Sequence, residues 1–461
     1  MSLTYPFLSL YNVGMAKNTD LTQGNVTKQL LRLAYPIFLS SVFQELYNVT
    51  NSLIVGNFID TLSLSAVSAC TWICNIFNYT FYGLGLGAGI LVAQNYGAKD
   101  KEGLKKTLDT SLVFAVIGGL VLTVVSEICL PLMMKLSNIG PDIYKIAETY
   151  LRIYLIGNSA VLTYQICFYV VRNMGDTKHQ LYYMILSSII NLILGIVFVR
   201  FCNMGVAGTA IATIISQFVI DILCLRLLFS FDEIDFDIHN INFKFATVLD
   251  ICKIGIPAGI QNMLIALSGM MIQAYTNLFS NTIIAGIGVG EKLGNWGQRV
   301  SNAFSSASQA MVAQNMGAKK YDRVQDTVKI TVTISEIITI ISVIAIYVFA
   351  PQLVSMFDQD PEVIKYGTAM TRSMVPSCVF INLSHIYNSA CRACGNVTKP
   401  MLIAIFAQVI CKYMFVYIGF KIVFDVRVIY FGTAFGYVLA GILATTYFFA
   451  SKWTKQIKLR P

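Results

Sequence analysis

The chain has 461 residues, of which 56% are hydrophobic and only 12% are charged, and its formal net charge is +9. A soluble protein is about 45–50% apolar and about 25% charged, so these charges are too few to cover the three globular domains that the length would suggest. The composition therefore excludes an ordinary soluble protein and predicts a chain surrounded by lipid. Its basic residues cluster in short loops, and nucleic-acid binding is not expected.

Twelve segments have the length and apolarity that a membrane-spanning helix needs, about 20 residues. They lie at 29–56, 64–94, 107–132, 143–171, 179–200, 206–229, 246–279, 283–315, 327–350, 362–391, 400–424 and 428–450. We predict an all-α polytopic membrane protein with a first lobe at 29–230 and a second at 246–451. Residues 231–245 form the linker, and 1–28 and 452–461 are expected to be tails.

Lysine and arginine are unevenly distributed between alternate loops. One set of loops contains Lys99, Lys101 and Lys320, whereas the opposite set contains acids such as Asp142 and Asp358. Basic loops stay in the cytoplasm, so both tails and the linker are predicted to be cytoplasmic in a plasma-membrane protein. No cleavable signal-peptide pattern is present at 1–26.

The two halves repeat each other. The motif Ala93-Gln-Asn-Tyr-Gly-Ala-Lys99 returns as Ala313-Gln-Asn-Met-Gly-Ala-Lys319, and Arg172-Asn-Met-Gly175 returns as Arg392-Ala-Cys-Gly395, both shifted by 220 residues. Each half has six helices, an even number, so the repeats are parallel about an axis along the membrane normal. Such repeats enclose a central cavity in secondary transporters.

In these motifs the chain resembles the multidrug and toxic compound extrusion (MATE) family. Further motifs that carry the resemblance are Ala34-Tyr-Pro36, Leu46-Tyr-Asn48, Gly175-Asp-Thr-Lys178 and Ile254-Gly-Ile-Pro-Ala-Gly259. The resemblance implies alternating access, export of organic compounds, and antiport of H⁺ or Na⁺ without a resident cofactor.

The sequence departs from the family at two acidic positions. Asn51 replaces the aspartate of a V-D-T-x-x-V-G pattern in the first helix, and Gly195 replaces an acid four residues after Asn191. An amide cannot release a proton near neutral pH, although its oxygen can coordinate Na⁺. Asn51 and Asn191 are therefore kept as ion-coupling candidates.

The first helix carries a polar stripe around Glu45. Ser41, Glu45, Asn48 and Ser52 follow one face, with Gln44 and Asn51 beside them. A charge at the centre of a spanning helix costs about 2.5–3.5 kcal/mol, so such residues are functional candidates. Glu45 is the leading proton-carrier candidate, and Gln44 and Asn48 are cavity candidates. The alternative is a packing seam, because amides also join membrane helices.

The eighth helix is the most polar one. It contains the ion-coupling candidate Glu291 and the cavity candidates Lys292, Asn295, Gln298, Arg299 and Asn302. Asn75 and Asn78 match Asn295 and Gln298 after the shift of 220 and join them as cavity candidates. The remaining cavity candidates are Asn158, Gln165, Gln261, His385 and Lys412. The alternative interpretation has the charged side chains reaching toward an interface.

Two expected acids are missing and three basic residues, Lys292, Arg299 and Lys412, are present in the other lobe. A neutral, zwitterionic or anionic substrate is therefore a hypothesis beside the family's usual cations. The alternative function is a flippase for lipid-linked precursors. No hydrolase or P-loop motif occurs, and a lone C-x-x-C at Cys391 does not make a zinc site. We expect a monomeric non-enzyme whose partners are a small organic substrate and membrane lipid.

Overall fold

The computed structural model describes residues 20–58, 61–137, 139–231, 234 and 239–451, with side chains throughout except at 47–58, 61, 64 and 136. The described residues of the first lobe form seven α-helices. They are α1 (Val26–Phe58), α2 (Thr61–Gly97), α3 (Lys101–Leu136), α4 (Pro141–Ile156), α5 (Asn158–Asn173), α6 (Lys178–Ile196) and α7 (Gly205–Phe229).

The second lobe continues the numbering. It contains α8 (Phe245–Thr276), α9 (Asn281–Gly317), α10 (Tyr321–Val348), α11 (Ala350–Ser355), α12 (Pro361–Met374), α13 (Cys378–Ala393), α14 (Thr398–Ile405), α15 (Lys412–Ile422) and α16 (Arg427–Ala450).

Consecutive helices join into twelve rods within the described residues, at the positions of the twelve predicted segments. In the first lobe α4 and α5 form one rod that bends by 49° at Gly157. In the second lobe α12 and α13 form the equivalent rod, which is broken by a 3₁₀ turn at Val375–Ser377 that contains a proline. A π-helical turn extends α6, and another one joins α14 to α15. The all-α fold with two six-rod lobes is confirmed.

The outer surface of the helices is apolar, as lipid requires. On α3 the exposed side chains include Val116, Ile117, Leu120, Val124 and Ile128, which is 74% exposed. A soluble protein rarely exposes so continuous an apolar face. Eight helices of the described chain are long and apolar enough to cross a membrane, and nine if the bent α4–α5 pair counts as one span. The chain is a multi-pass membrane protein.

The backbone repeats as closely as the sequence does. Two helices, α2 and α9, are followed by a lysine in the left-handed region, Lys99 at φ 56° and Lys319 at φ 57°. Two others, α5 and α13, are followed by left-handed glycines, Gly175 and Gly395. A left-handed residue ends a helix and turns the chain sharply. The motifs that repeat in sequence are therefore the turns that end matching helices.

Residues 20–28, which the sequence placed in the predicted tail at 1–28, have a defined structure. Residues 1–19 lie outside the described structure, but α1 begins at Val26 and residues 20–25 pack against the second lobe. Leu21 is fully buried and Thr22 is 5% exposed. The polar composition of this segment suggested a tail. Its backbone polar atoms are instead hydrogen-bonded to side chains about 300 positions away in the sequence.

Candidate functional site

The lobes meet tightly in the half of the molecule where α1 and α8 begin, here called the lysine-rich end. There α2 of the first lobe crosses α8 of the second at Gly83, Gly255 and Gly259. A Cβ atom on Gly255 would lie 2.7 Å from the Gly83 carbonyl oxygen, and one on Gly259 would lie 2.8 Å from that of Tyr79. Residues without side chains let two helix backbones approach this closely.

On the other side of the molecule, α1 packs on α9 in the same half. Leu30, Leu33 and Ile37 form one buried cluster with Ala307 and Met311. Both inter-lobe contacts consist of apolar or small residues, so they exclude water from the space between the lobes at this end.

Two hydrogen bonds related by the repeat close the same end. The Gln94 side chain of the first lobe donates Nε2 to the Ala393 carbonyl oxygen of the second lobe at 2.8 Å. The Gln314 side chain of the second lobe donates Nε2 to the Asn173 carbonyl oxygen of the first, also at 2.8 Å. Between them, the turns after α2 and α9 touch so closely that a Cβ atom on Gly97 would overlap the Gln314 backbone. We call these two bonds the amide latch.

Residues 20–25, here called the N-terminal strap, tie the first lobe to the second at the lysine-rich end. Arg323 of α10 donates Nε to the Leu21 carbonyl oxygen at 3.2 Å, and its terminal nitrogens bind the carbonyl oxygens of Gln23 and Gly24. The Leu21 amide donates to Gln314 Oε1 at 3.1 Å, and Lys320 Nζ binds the Thr22 carbonyl oxygen at 2.9 Å.

The strap also contains an acid whose charge is stabilised. Partial burial raises the pKa of Asp20, but hydrogen bonds from the Thr22 hydroxyl and amide and the charges of Lys320 and Lys99 leave that pKa below its ordinary value. The Asp20 carboxylate is therefore a fixed negative charge among basic side chains.

In the opposite half of the molecule, α9 and α2 expose polar and aromatic side chains. On α9 the exposed residues Lys292, Asn295, Trp296 and Asn302 recur at helical spacing on one face. On α2 the matching face exposes Ser65, Ser68, Thr71, Trp72 and Ile76. We call the space that these two faces border the cleft.

One ion pair crosses between the lobes where the packed half meets the open half. Arg299 of α9 donates one terminal nitrogen to Glu45 Oε2 of α1 at 2.7 Å and the other to the Ser41 carbonyl oxygen at 3.1 Å. The Arg299 side chain is 23% exposed and that of Glu45 is 42% exposed. The Arg299 guanidinium carbon lies 5.8 Å from the Trp296 ring centroid. Glu45 and Arg299, singled out separately in the sequence, are thus partners.

A second polar group lies inside the second lobe. Gln298 donates Nε2 to the Tyr437 hydroxyl at 3.0 Å and to Asn295 Oδ1 at 3.2 Å. The charge of Lys412 acts on Glu291. The aliphatic part of Lys412 packs against Gly436, where an added Cβ atom would lie 3.0 Å from the Lys412 Cβ atom. Tyr437 was missed in the sequence because a tyrosine in an apolar helix is typical of a core.

Three other amides are hydrogen-bonded within the first lobe. Asn191, 2% exposed, donates to Thr213 Oγ1 at 3.2 Å. Asn158, fully buried, donates to Ser126 Oγ at 3.1 Å, and Asn78 accepts from the Tyr154 hydroxyl at 3.2 Å. In this structure Asn158 and Asn191 have almost no surface toward the cleft, because they join helices of one lobe.

The remaining candidates differ in burial. Gln44, Asn75, Gln165 and His385 are half-buried, and Gln261 is 7% exposed. Neither Gln261 Oε1 nor His385 Nδ1 has a hydrogen-bond partner among the described residues. Asn48 and Asn51 lie outside the residues whose side chains are described. Nor do the described side chains bring three or more His, Cys, Asp or Glu residues close enough to hold a metal ion.

The MatE family model matches the chain twice, at residues 36–197 and 257–418. The chain belongs to the MatE family. One match falls in each lobe, so the family assignment and the internal repeat agree. MatE proteins are transporters and not enzymes, which makes this chain a membrane transporter.

Individual MatE relatives cover most of the chain. The probable multidrug resistance protein YoeA of Bacillus subtilis is 26% identical over 391 residues, which cover 83% of this chain and 84% of the relative. The probable multidrug resistance protein YpnP of the same organism is 25% identical over 443 residues, which cover 96% of this chain and 99% of that relative. A structure described as the outward-facing conformation of a multidrug resistance MATE transporter superposes with a TM-score of 0.89 at 20% identity, covering 97% of this chain and all of that one.

Proposed function

We propose that this MatE protein exports small organic compounds across the plasma membrane by alternating access, driven by the counterflow of H⁺ or Na⁺. Both termini lie in the cytoplasm, and the protein works as a monomer with no resident cofactor. The names of its relatives support drug-like substrates.

The observation that carries the proposal is the unequal contact between the lobes. The lysine-rich end, which is cytoplasmic by the distribution of basic loops, is sealed by the α2–α8 and α1–α9 contacts, the amide latch and the N-terminal strap. The other end borders the exposed faces of α2 and α9. This arrangement is what one of two alternating states requires, with the cleft open to the outside.

For the coupling ion, Glu45 is the proposed proton carrier. It is half-exposed at the cleft, it pairs with a residue of the opposite lobe, and Asn51 and Gly195 occupy the positions of the family's usual acids. A proton on Glu45 would remove the charge that holds Arg299, so protonation and the contact between lobes would be linked.

The test is uptake of a fluorescent organic compound into proteoliposomes under an imposed H⁺ or Na⁺ gradient. We expect gradient-driven uptake by the wild type, loss of coupling in Glu45→Gln, and retained coupling in Glu291→Gln, because Glu291 interacts with Lys412 inside one lobe. Uptake that depends on neither the H⁺ nor the Na⁺ gradient would contradict ion-coupled export. Coupling unchanged in Glu45→Gln would contradict the assignment of the carrier.

The second candidate function is a flippase for lipid-linked precursors. The basic residues Lys292 and Arg299 on the cleft face of α9 favour it, because they suit the phosphate of such a lipid. Scrambling of a fluorescent polyprenyl phosphate in the same proteoliposomes, without uptake of soluble compounds, would select this alternative.

A further inference from the structure

We propose that Arg299 is the recognition residue for an acidic group on the transported compound, and that this group binds by displacing Glu45 from the guanidinium. The inference rests on the proposed export function and specifies its substrate class: amphipathic organic acids with an aromatic or apolar body.

Arg299 has N–H donors that could bind such a group. Of its five N–H donors, two are used in the hydrogen bonds to Glu45 and Ser41 that the described residues show. The planar guanidinium matches the two oxygens of a carboxylate. Because 23% of the Arg299 side chain and 42% of the Glu45 side chain are exposed at the cleft, a solute can reach the pair without unfolding any helix.

The charges that border the cleft favour an anion. Lys292 lies two helical turns from Arg299 on the same face of α9, about 10 Å along the axis. The exposed face of α2 consists of Ser, Thr, Trp and Ile side chains. In α1 no acid follows Glu45 as far as Phe58. The ammonium of Lys292 lies 6.0 Å from the Phe357 ring centroid and has no acidic partner among the described contacts. An organic cation would therefore meet two basic residues and one carboxylate, a balance that favours an anion.

Glu291 does not reverse this balance. It is next to Lys292 in sequence, but neighbouring residues on a helix point about 100° apart. Glu291 is half-buried and interacts with Lys412, a residue of its own lobe. The second carboxylate of α9 therefore has a cation of its own lobe nearby.

One aromatic ring next to the ion pair, and a second one exposed on the facing helix, favour an apolar body on the substrate. Trp296 lies 5.8 Å from the Arg299 guanidinium carbon and is 42% exposed, and Trp72 is exposed on the facing helix α2. An aromatic side chain next to a cation offers stacking surface at the same place as the charge. A compound that carries both features would occupy the two at once.

Binding in this way would also couple the substrate to the lobes. The Glu45–Arg299 pair joins α1 of the first lobe to α9 of the second. A ligand shifts a conformational equilibrium only through a difference in affinity between the two states. An anion that takes Arg299 away from Glu45 removes one bond between the lobes and so favours their separation.

The test uses three coumarin probes of similar size: coumarin-3-carboxylate, its carboxamide and 3-(aminomethyl)coumarin as the ammonium form. Binding to the purified full-length protein is measured by fluorescence, and transport is measured in proteoliposomes. The wild type should prefer the carboxylate. Arg299→Gln should weaken carboxylate binding at least about tenfold, the scale of a charged hydrogen bond, and leave carboxamide binding within about twofold.

The variant Glu45→Gln should change carboxylate affinity in the opposite direction. It removes the internal competitor and keeps Arg299, so carboxylate affinity should rise. The matched control is Arg372→Gln, because Arg372 binds the Tyr347 carbonyl oxygen and lies against the Tyr347 ring, away from the cleft face of α9.

The proposal is overturned if the wild type prefers the ammonium probe, fails to bind the carboxylate, or binds it equally well after Arg299→Gln. If Arg299→Gln does not fold, as judged by its elution profile and Tm, Glu45→Gln decides: lower or unchanged carboxylate affinity rejects the proposal. Failure of the export function looks different, since the carboxylate would then bind in an Arg299-dependent way without gradient-driven transport.

Discussion

The amide latch has a simple cause at the level of single residues. Asn173 and Ala393 are the last residues of α5 and α13, and the final carbonyl groups of a helix have no partner within that helix. Gln94 and Gln314 supply the missing donors from the opposite lobe. Each lobe thus supplies a hydrogen-bond donor to the last carbonyl group of a helix in the other lobe. These two bonds fix how the lobes align at the closed end.

Removing both latch donors should loosen the closed end. In the double variant Gln94→Ala/Gln314→Ala two carbonyl groups lose their partners across the interface, each at a cost of about 1–3 kcal/mol. Hydrogen–deuterium exchange should increase at the ends of α5 and α13. Gln273→Ala is the control, because Gln273 donates to Asn277 of the same exposed surface. Equal exchange in the two variants would mean that the latch contributes nothing.

The glycines that end α2 and α9, Gly97 and Gly317, should tolerate no side chain. Gly97→Ala and Gly317→Ala place a Cβ atom into the backbone of Gln314 and Gln94, respectively, so the helix ends must separate. We expect a lower Tm for both variants. Gly269→Ala, in the last third of α8 with open space around it, should be neutral or stabilising by about 0.5–1 kcal/mol. Unchanged Tm values for Gly97→Ala and Gly317→Ala would argue against the close contact between these helix ends.

At the scale of elements, the N-terminal strap depends on Arg323. Arg323→Met removes four hydrogen bonds, to the carbonyl oxygens of Leu21, Gln23 and Gly24 and to Gln29 Oε1. At about 0.5–1.5 kcal/mol each, their loss should release the strap and make residues 20–25 sensitive to limited proteolysis. Lys329→Met, on an exposed position of the same helix, should leave the strap protected.

The strap should also respond to acid in one direction. The folded pKa of Asp20 is below its ordinary value of 3.8, so its ionised form stabilises the fold. That contribution is complete above the unfolded pKa and is lost as pH falls through the folded pKa. Amide protection of residues 20–25 should therefore stay constant from pH 8 to about pH 5 and fall below about pH 4. In Asp20→Asn this acid step should be absent.

The helices were predictable, but their interruptions and partners were not. Length and apolarity are local properties, so all twelve rods were located from sequence. The bend at Gly157 and the π-helical turns depend on packing against neighbouring helices, as the Ile214 side chain 2.8 Å from a Cβ on Gly157 illustrates. Glu45 and Arg299 were each recognisable as intramembrane charges, but their pairing spans 254 positions and follows only from how α1 crosses α9. The strap was missed for the same reason.

On the scale of the whole molecule, alternating access predicts opposite movements at the two ends. Spin labels on a cysteine-free background at exposed positions Lys101 and Lys399 report on the lysine-rich end, and labels at Thr149 and Glu362 report on the other end. In the state described here the first pair is held by the latch and the strap. Conditions that lengthen the first distance should shorten the second.

The two lobes would then rotate as bodies about the tight crossings of small residues. As a control, the distance between the labels at Lys101 and Lys399 is measured in the Gly97→Ala variant. In this variant the conformation with the longer Lys101–Lys399 distance should become more populated even without a ligand. If both distances change in the same direction, or only one changes, the lobes do not alternate.

The latch and the crossings that close the lysine-rich end contain neutral amides, backbone carbonyls and glycines. Bonds of this kind are almost indifferent to ionic strength and to the electrical potential across the membrane, both of which act on net charge. The Glu45–Arg299 pair, in contrast, consists of two charged, partly exposed side chains, so ions in solution can screen it. The amide latch should therefore persist at salt concentrations that weaken the charged contacts of the N-terminal strap and the Glu45–Arg299 pair.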